Sequence, residues 1–287
     1  MMRYYVQGMW GLGDNIYQRP FIRTLAQRGP VYLETPWPEL YEDIRNVFFV
    51  RGHRTLRTQL KNVDRQHPGR WVPPPSNAMH LRIHYNLNRL PLFEEMAQAF
   101  RIADKLTLDL PPVHTPWPEA AKPIAIVRPV TVRKEWMNAA RNPDPRYVSQ
   151  AAQWLLATHH VVAVADLAAG QETLVGDLPP AHESYLAGEV TISRLLALVA
   201  AADVLVGGVG WIVPAAVAAG KRGLIILGGQ GGHNAPEKII APWWQHQLTF
   251  ARPERFCTCN NMRHDCPKTI LDLPAVFGRC MTPAQAA

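Results

Sequence analysis

The hydrophobic pattern of residues 193–229 changes its period several times within a few dozen positions. The short, apolar, β-branched run at residues 204–206 predicts a strand, and Gly207, Gly208 and Gly210 follow it directly. Residues 214–219 then predict a small-residue helix, and residues 224–227 predict a second buried strand. Such runs are typical of parallel strands buried on both faces. Glycines between strand and helix let a ligand approach the backbone and leave helix N–H groups free for an anion such as a diphosphate.

The amino-terminal pattern has the same arrangement. An apolar strand at residues 3–6 leads into Gly8, Gly11, Gly13 and Asp14, and a helical segment follows at residues 16–27. Two strand, glycine and helix entries in one chain predict a duplicated α/β architecture with a ligand cleft between its halves.

The remaining elements divide the chain into two predicted domains. Residues 1–110 contain two further strands, at 30–33 and 46–50, which suffice for a Rossmann-like half. Residues 111–123 form a proline-rich linker, because the stretch 108–123 holds five prolines in sixteen positions. Residues 124–287 predict a second such half, with a strand at 124–128 and helices at 146–157 and 192–201. Its tail from residue 250 looks irregular apart from a short helix at 271–277.

Composition places the chain among ordinary globular proteins. Its 287 residues are 47% hydrophobic and 18% charged, which allows two domains that each bury a core. The start of the chain lacks the basic region and long apolar core of a secretory signal, and we expect a cytoplasmic protein without a transmembrane segment. Peripheral contact with the inner membrane surface is compatible with this expectation.

The net charge of +7 comes from one segment. Residues 51–89 hold eight lysines or arginines against the single acid Asp64, and they also hold four histidines. Three consecutive prolines at 73–75 interrupt any continuous helix here, so we predict a basic surface excursion. Such a cluster favours a polyanionic partner through Arg51, Arg54, Arg57 and Lys61. A solubilising loop is the competing interpretation.

Four sets of residues together resemble one glycosyltransferase family. They are GLGD at 11–14 with its helix, the strand ending at Arg128 with Thr131, Arg133, Lys134 and Trp136, the stretch AADVLVGGVG with AAVAAGKRGLIILGG, and the cysteine-rich tail. In this order they are similar to the ADP-heptose:lipopolysaccharide heptosyltransferases. The resemblance implies an α/β GT-B fold, with an amino-terminal acceptor domain and a carboxy-terminal domain for the donor nucleotide.

The resemblance also implies roles for individual residues. It makes Asp14 the general base, whereas the residues alone explain this aspartate equally well as a helix N-cap. A donor and diphosphate site would use the glycine turns at Gly11, Gly13, Gly207, Gly208 and Gly210, with Arg128, Thr131, Lys134, Glu172, His233 and Asn234. The family's sugar-holding acid and imidazole are absent, since their positions read Gly208 and Val213. The donor sugar is therefore left open.

The cysteines allow two interpretations. Cys257, Cys259 and Cys266 cluster, Cys280 follows, and the spacing differs from the paired knuckles of ordinary zinc sites. Reduced, partly buried thiols are the favoured interpretation, and a structural zinc is the alternative. The proposed chemistry itself requires no metal.

The sequence thus predicts an inverting transferase that uses a nucleotide-diphosphate sugar. Its polyanionic acceptor would be a lipopolysaccharide-type glycan or a modified DNA base. A non-catalytic protein that binds nucleic acid or glycan on the same scaffold is one rival hypothesis. An epimerase-like enzyme that handles the sugar nucleotide without an acceptor is another.

Overall fold

The computed structural model describes residues 1–52, 71–87, 89–133, 139–167, 172–259 and 266–282. These residues form two compact units, Met1–Pro112 and Val113–Ala287. The division falls within the proline-rich stretch at 108–123. No helix among the described residues has the length and apolar content needed to cross a membrane.

A four-stranded parallel sheet organises unit 1. Its strands are β1 (Tyr4–Gln7), β2 (Val31–Glu34), β3 (Val47–Val50) and β4 (Met79–Arg82). They lie in the order β3-β2-β1-β4. The helices among its described residues are α1 (Leu12–Arg28) and α2 (Leu92–Phe100), with a 3₁₀ turn at Pro38–Leu40.

Helix α1 begins four residues before its predicted start. Gly11 is the N-cap residue, with an extended backbone (φ −71°, ψ 143°), and Asp14 lies in the first turn. The prediction failed here because the glycines were taken as a loop. Gly8 and Gly11 lie outside the helix, but Gly13 is in its first turn.

Strand β4 corrects the predicted basic excursion, because it places residues 79–82 in the sheet. It pairs with β1 through Tyr4↔Met79 and Val6↔Leu81. His80 and Arg82 are exposed while Leu81 is buried. This alternation is the pattern of a half-buried strand, and the positive charge of the segment drew attention away from it. Residues 53–70 of the same segment lie outside the described part of the chain.

Unit 2 contains a six-stranded parallel sheet. Its strands, in sequence, are β5 (Ile124–Val127), β7 (His160–Val164), β9 (Glu183–Tyr185), β10 (Ala202–Gly207), β11 (Arg222–Ile226) and β12 (Leu248–Ala251). Their spatial order is β12-β11-β10-β5-β7-β9. Two short strands, β6 (Thr131–Arg133) and β8 (Glu172–Leu174), form a separate antiparallel pair.

Short helices connect the strands of unit 2. They are α3 (Pro145–Leu155), α4 (Ile192–Ala201), α5 (Ile212–Ala218), α6 (Gly231–Asn234), α7 (Pro236–Ile239) and α8 (Leu273–Met281), with a 3₁₀ helix at Pro242–Gln247. The tail is less irregular than predicted: β12 extends the sheet, and α8 packs on the core through Leu273 and Cys280. The central strands are buried on both faces; Val127, Val206 and Ile226 have no exposed surface. This matches the continuous apolar runs of the sequence.

Both sheets reverse their strand order next to the first strand of their unit. In unit 1 the chain passes from β1 to β2 and β3 on one side and returns to β4 on the other. In unit 2 it passes from β5 to β7 and β9, then returns to β10 and continues outward. Ligands of open α/β sheets bind at the carboxyl ends of strands where the order reverses. Each unit therefore has one such edge, at β1/β4 and at β5/β10.

Candidate functional site

Asp14 lies at the β1/β4 edge of unit 1. It is partly exposed, and the hydroxyl of Tyr85, from the segment after β4, donates to its Oδ1 at 3.1 Å. Since Gly11 is the N-cap, the interpretation of Asp14 as the capping residue is wrong. The carboxylate is instead in the third position of the helix, where the N-terminal partial charge favours a negative group.

Asn15 fixes the loop between β1 and α1. Its amide nitrogen donates to the backbone oxygens of Met9 and Gly11, both at 2.8 Å. Its amide oxygen accepts from Gln18 Nε2 at 2.8 Å and from Thr35 Oγ1 at 2.7 Å. The Asn15 side chain is fully buried, so these bonds replace the water it lost on folding.

Gln18 and Tyr41 complete this buried network. The backbone nitrogen of Met9 donates to Gln18 Oε1 at 3.0 Å, and Gln18 Nε2 donates to the Tyr41 hydroxyl at 2.8 Å. Burial raises the pKa of Tyr41 well above its usual range, which keeps the hydroxyl protonated. It lies 2.9 Å from the backbone oxygen of Asn15. The first turn of α1 is therefore positioned by uncharged hydrogen bonds.

Arg128 lies at the β5/β10 edge of unit 2, directly after β5. Its Nη2 lies 3.4 Å from Thr131 Oγ1, and its backbone nitrogen donates to Val206 at 2.8 Å. Burial lowers the pKa of Arg128 to about 10, Glu172 opposes this shift, and Arg133 and Arg141 add to it. A bound anion at this edge would stabilise the charged guanidinium.

Glu172 is buried in the antiparallel β6–β8 pair, 6% exposed and opposite Arg133. Thr131 Oγ1 donates to its Oε1 at 2.8 Å, and Arg133 Nε lies 3.3 Å from its Oε2. Both carboxylate oxygens thus have partners within the protein. This supports an orienting role toward Thr131 and Arg133 rather than the ribose contact that the resemblance implies.

Arg141 adds a third guanidinium that the sequence analysis missed. Its Nη2 donates to the backbone oxygen of Val209, in the glycine turn, at 2.9 Å. The neighbouring Asn142 comes so close to Gly228 that an added Cβ there would lie 1.9 Å from the Asn142 oxygen. A glycine at 228 therefore lets the segment that carries Arg141 reach this edge. No local signal marks Arg141, since its position depends on a contact 68 residues along the chain.

Gly207, at the end of β10, and Gly208 and Gly210, after it, each have close neighbours within unit 2. A Cβ at Gly207 would lie 3.1 Å from Arg128 Cβ, and one at Gly210 would lie 3.2 Å from Arg128 Nη1. A Cβ at Gly208 would lie 3.0 Å from Pro143 Cδ. Of the three, Gly210 is the glycine that gives the Arg128 guanidinium room at the edge. The predicted contact of these glycines with a diphosphate stays a prediction.

The other predicted site residues are dispersed. Arg51 is exposed directly after β3, and Gly13 is in the first turn of α1. His233 and Asn234 are in α6, after β11; Asn234 is 5% exposed and donates to Gln230 Oε1 at 2.9 Å. Lys134, Arg54, Arg57 and Lys61 lie outside the described residues.

Three of the four cysteines converge beside α6. The Sγ atoms of Cys257, Cys259 and Cys266 all lie within 4.8 Å of one another. Cys280 is not in this group: it is 4% exposed and packs in the core of unit 2. The alternative of a metal site that includes Cys280 is therefore wrong for this residue, because the apolar face of α8 directs Cys280 into the core.

The cluster is joined to the turn that begins α6. The backbone nitrogen of Gln230 donates to Cys257 Sγ at 3.3 Å, and that of Gly231 donates to the Cys257 oxygen at 2.6 Å. Burial raises the pKa of Cys257, but hydrogen bonds from Gln230 and Cys259 outweigh this and lower it. The Cys259 hydrogen bond and burial raise the pKa of Cys266 to about 11. One thiol of the cluster therefore ionises well before another.

No protein-family model and no curated protein matches the chain. Solved structures do share its fold. The iron-containing dodecameric glycosyltransferase TibC from enterotoxigenic E. coli H10407 is 11% identical, with a TM-score of 0.59 over 93% of this chain and 64% of that one. The chain thus spans less than two thirds of that structure's length. A TibC structure in complex with ADP-D-β-D-heptose gives 12% identity and a TM-score of 0.63, over 98% of this chain and 77% of that one.

The E. coli ADP-heptose LPS heptosyltransferase II gives 12% identity and a TM-score of 0.57, over 97% of this chain and 99% of that one. The chain has the GT-B fold of these glycosyltransferases. The expected fold class is confirmed, and the structural neighbours belong to the group of proteins that the sequence motifs resemble. At identities of 11 to 12% the likeness establishes the fold, and activity is a separate question.

Proposed function

We propose that this protein transfers a sugar from a nucleotide-diphosphate donor to a polyanionic acceptor, with inversion at the anomeric carbon. One observation carries the proposal. The two reversal edges hold complementary groups, a positioned carboxylate at β1/β4 and a guanidinium cluster at β5/β10. The glycosyltransferase fold and the ADP-heptose bound by a structural neighbour support this division.

The roles follow from the charges. Asp14 removes the proton of the acceptor hydroxyl as its oxygen attacks the anomeric carbon. A new bond from this carbon to the acceptor oxygen forms while its bond to the phosphate oxygen breaks, and the electron pair leaves with the diphosphate. Arg128 stabilises the negative charge that develops on this leaving group, and Thr131, whose hydroxyl oxygen accepts from Arg128 Nη2, orients the guanidinium. Lys134 is assigned to the same task from its family position.

The donor sugar need not be a heptose. Val213, at the position of the family's imidazole, is buried in α5 with 1% exposure, and Gly208 lies against Pro143. Neither position offers a polar side chain to a sugar. Other residues would then have to bind the hydroxyl groups of the sugar. A sugar with fewer hydroxyl groups to bind fits this turn better.

The acceptor proposal depends on exposed cationic positions near the Asp14 edge. Arg82 is exposed at the end of β4, and Arg51 is exposed directly after β3. These positions favour a phosphorylated glycan or DNA, which the same charges would attract. Transfer to a base in duplex DNA would require the base to leave the stack first.

A panel of nucleotide sugars tests the function. The full chain is incubated with ADP-, UDP-, GDP- and dTDP-linked sugars, with phosphorylated lipopolysaccharide core or with duplex DNA. Release of nucleoside diphosphate and product mass are measured. We expect release with one donor class that depends on an acceptor and yields a glycosylated product. Acceptor binding without release from any donor would favour the non-catalytic alternative, and donor conversion without an acceptor would favour the epimerase-like one.

We further propose that Cys257, Cys259 and Cys266 hold a structural metal ion. Thiolates bound to one zinc at about 2.3 Å lie about 3.8 Å apart, which is compatible with sulfurs that all lie within 4.8 Å of one another. The iron content of TibC supports testing iron as well as zinc. The ion would hold Cys257, and thus the turn at Gln230, without entering the reaction.

Metal analysis of protein purified without chelator tests this second proposal. About one equivalent of zinc or iron is expected, with loss in Cys259→Ser and retention in the control Cys280→Ala. Less than about 0.2 equivalents of either metal in the wild type would contradict it.

A further inference from the structure

Tyr85 contacts the carboxylate of Asp14, to which the proposed function assigns the proton transfer. Its hydroxyl donates to Asp14 Oδ1 at 3.1 Å across 71 residues of sequence. A phenol at neutral pH is a donor, and donation to a carboxylate favours the ionised form. The contact would both orient Asp14 and keep it deprotonated.

The segment that carries Tyr85 is fixed on both sides. Before it, the backbone nitrogen of Ile83 donates to the Gln7 oxygen at 3.0 Å, which extends the β1–β4 register. After it, the backbone nitrogen of Asn86 donates to Glu95 Oε2 at 3.1 Å. Glu95 is 6% exposed and belongs to α2. The backbone on either side of Tyr85 is therefore held by β1 and by α2.

The second oxygen of the Asp14 carboxylate lies beside Gly11. A Cβ at this position would lie 2.5 Å from Asp14 Oδ2. The backbone at Gly11 has φ −71°, which any residue adopts, so the backbone angle does not require glycine here. The carboxylate occupies the space that a side chain at position 11 would fill. Tyr85 therefore contacts one oxygen of the Asp14 carboxylate, and the other oxygen lies where a side chain at position 11 would be.

We propose that Tyr85 is a positioning residue that directs the Asp14 carboxylate toward the acceptor hydroxyl. Tyr85 donates to Oδ1 and so fixes the orientation of the carboxylate group. Among the described residues, Asp14 also acts electrostatically on Tyr41, whose buried hydroxyl is already bonded to Asn15. Tyr85 is thus the group that a substitution can remove without opening the buried network. This inference depends on the proposed function for its catalytic meaning.

The test is Tyr85→Phe in the full chain, with Tyr185→Phe as the matched control. Tyr185 also donates to a carboxylate, Glu183 Oε2 at 2.7 Å, but in unit 2. The pKa of the Asp14 carboxyl is measured by carbon NMR titration, and kcat and KM are measured against pH. We expect Tyr85→Phe to raise this pKa by about 0.5 to 1 unit, since the ionised form loses a donor.

The acid limb of kcat should move to higher pH by the same amount. At neutral pH kcat should fall about 3- to 10-fold with the donor KM unchanged. Gly11→Ala, which displaces Oδ2 while Tyr85 is kept, should also lower kcat. An unchanged Asp14 pKa in Tyr85→Phe would overturn the inference, and this readout needs no turnover. A wild-type protein without any transferase activity would instead defeat the proposed function.

Discussion

The two units share one strand plan and differ in the charges at their reversal edges. In unit 1 the loop after β1 is held by buried, uncharged side chains, and the carboxylate of Asp14 is partly exposed beside them. In unit 2 the guanidinium of Arg128 lies against the glycine turn after β10, and Glu172 is the carboxylate that acts on it among the described residues. The same edge of the same fold thus carries a partly exposed carboxylate in one unit and a buried guanidinium in the other.

A second buried arginine, Arg19 of unit 1, contrasts with Arg128 at the β5/β10 edge, where arginines outnumber carboxylates. Arg19 of α1 is fully buried and is matched by two carboxylates, Asp43 at 2.6 Å and Asp109 at 3.0 Å. Arg128, with its lowered pKa, is influenced by one carboxylate, Glu172, and by two further arginines, Arg133 and Arg141. Arg19 is a structural cation whose charge is neutralised within the protein. Arg128 is a cation whose environment would be improved by a bound diphosphate.

The largest effect is expected from the neutral network of unit 1. Asn15→Ala removes the partner of several buried groups, including the backbone oxygen of Met9, and should lower the free energy of unfolding by about 2 to 4 kcal/mol. Urea denaturation measures this change. Asn77→Ala is the control, because Asn77 is exposed and makes one long bond of 3.3 Å to Arg3. Equal stability of the two variants would show that the network does not hold the loop.

The next effect tests the proposed diphosphate site of unit 2. Arg128→Met should weaken nucleoside diphosphate binding by about 10- to 100-fold, since hydrogen bonds to charged groups contribute about 1.5 to 3 kcal/mol. Isothermal titration calorimetry measures the affinity. Arg146→Met is the control, because Arg146 is exposed and pairs with Asp144 at 2.7 Å on the same unit. An unchanged affinity in Arg128→Met would remove the guanidinium from the donor site.

The smallest effect concerns the ion pair between Arg19 and Asp43 of unit 1 at acid pH. Arg19 holds the pKa of Asp43 below its usual range, against the opposing effect of burial. A lowered pKa stabilises the folded state above the unfolded value near 4, and the gain is lost as the pH falls through the folded value. Asp43→Asn should therefore reduce the acid-dependent loss of stability by about 1 kcal/mol. Urea midpoints between pH 6 and pH 3 measure it, and an identical pH dependence in both proteins would contradict the pairing.

Much of the fold could be predicted from the sequence, because buried parallel strands produce continuous apolar runs. The strand now called β10 and helix α4 (Ile192–Ala201) were predicted on this basis, the helix with its observed bounds. The two failures have local causes. Strand β4 alternates polar and apolar residues, and α1 begins between Gly11 and Gly13, which were expected to lie in a loop.

The candidate site was less predictable. Asp14 and Arg128 could be named because each follows a strand and a resemblance marks each one. Tyr85, Asn15 and Arg141 could not, since their contacts join distant segments and no motif marks them. A buried polar network leaves almost no pattern in the sequence, because its members are ordinary asparagine, glutamine, threonine and tyrosine residues.

The most direct test of the account is Asp14→Asn, with turnover and nucleoside diphosphate affinity measured on the same preparation. If unit 1 supplies the base and unit 2 binds the leaving group, turnover should fall about 10²- to 10⁴-fold while the affinity stays within about twofold. Turnover that stays within a few-fold of the wild type, or an affinity that falls in parallel with it, would contradict this division of labour.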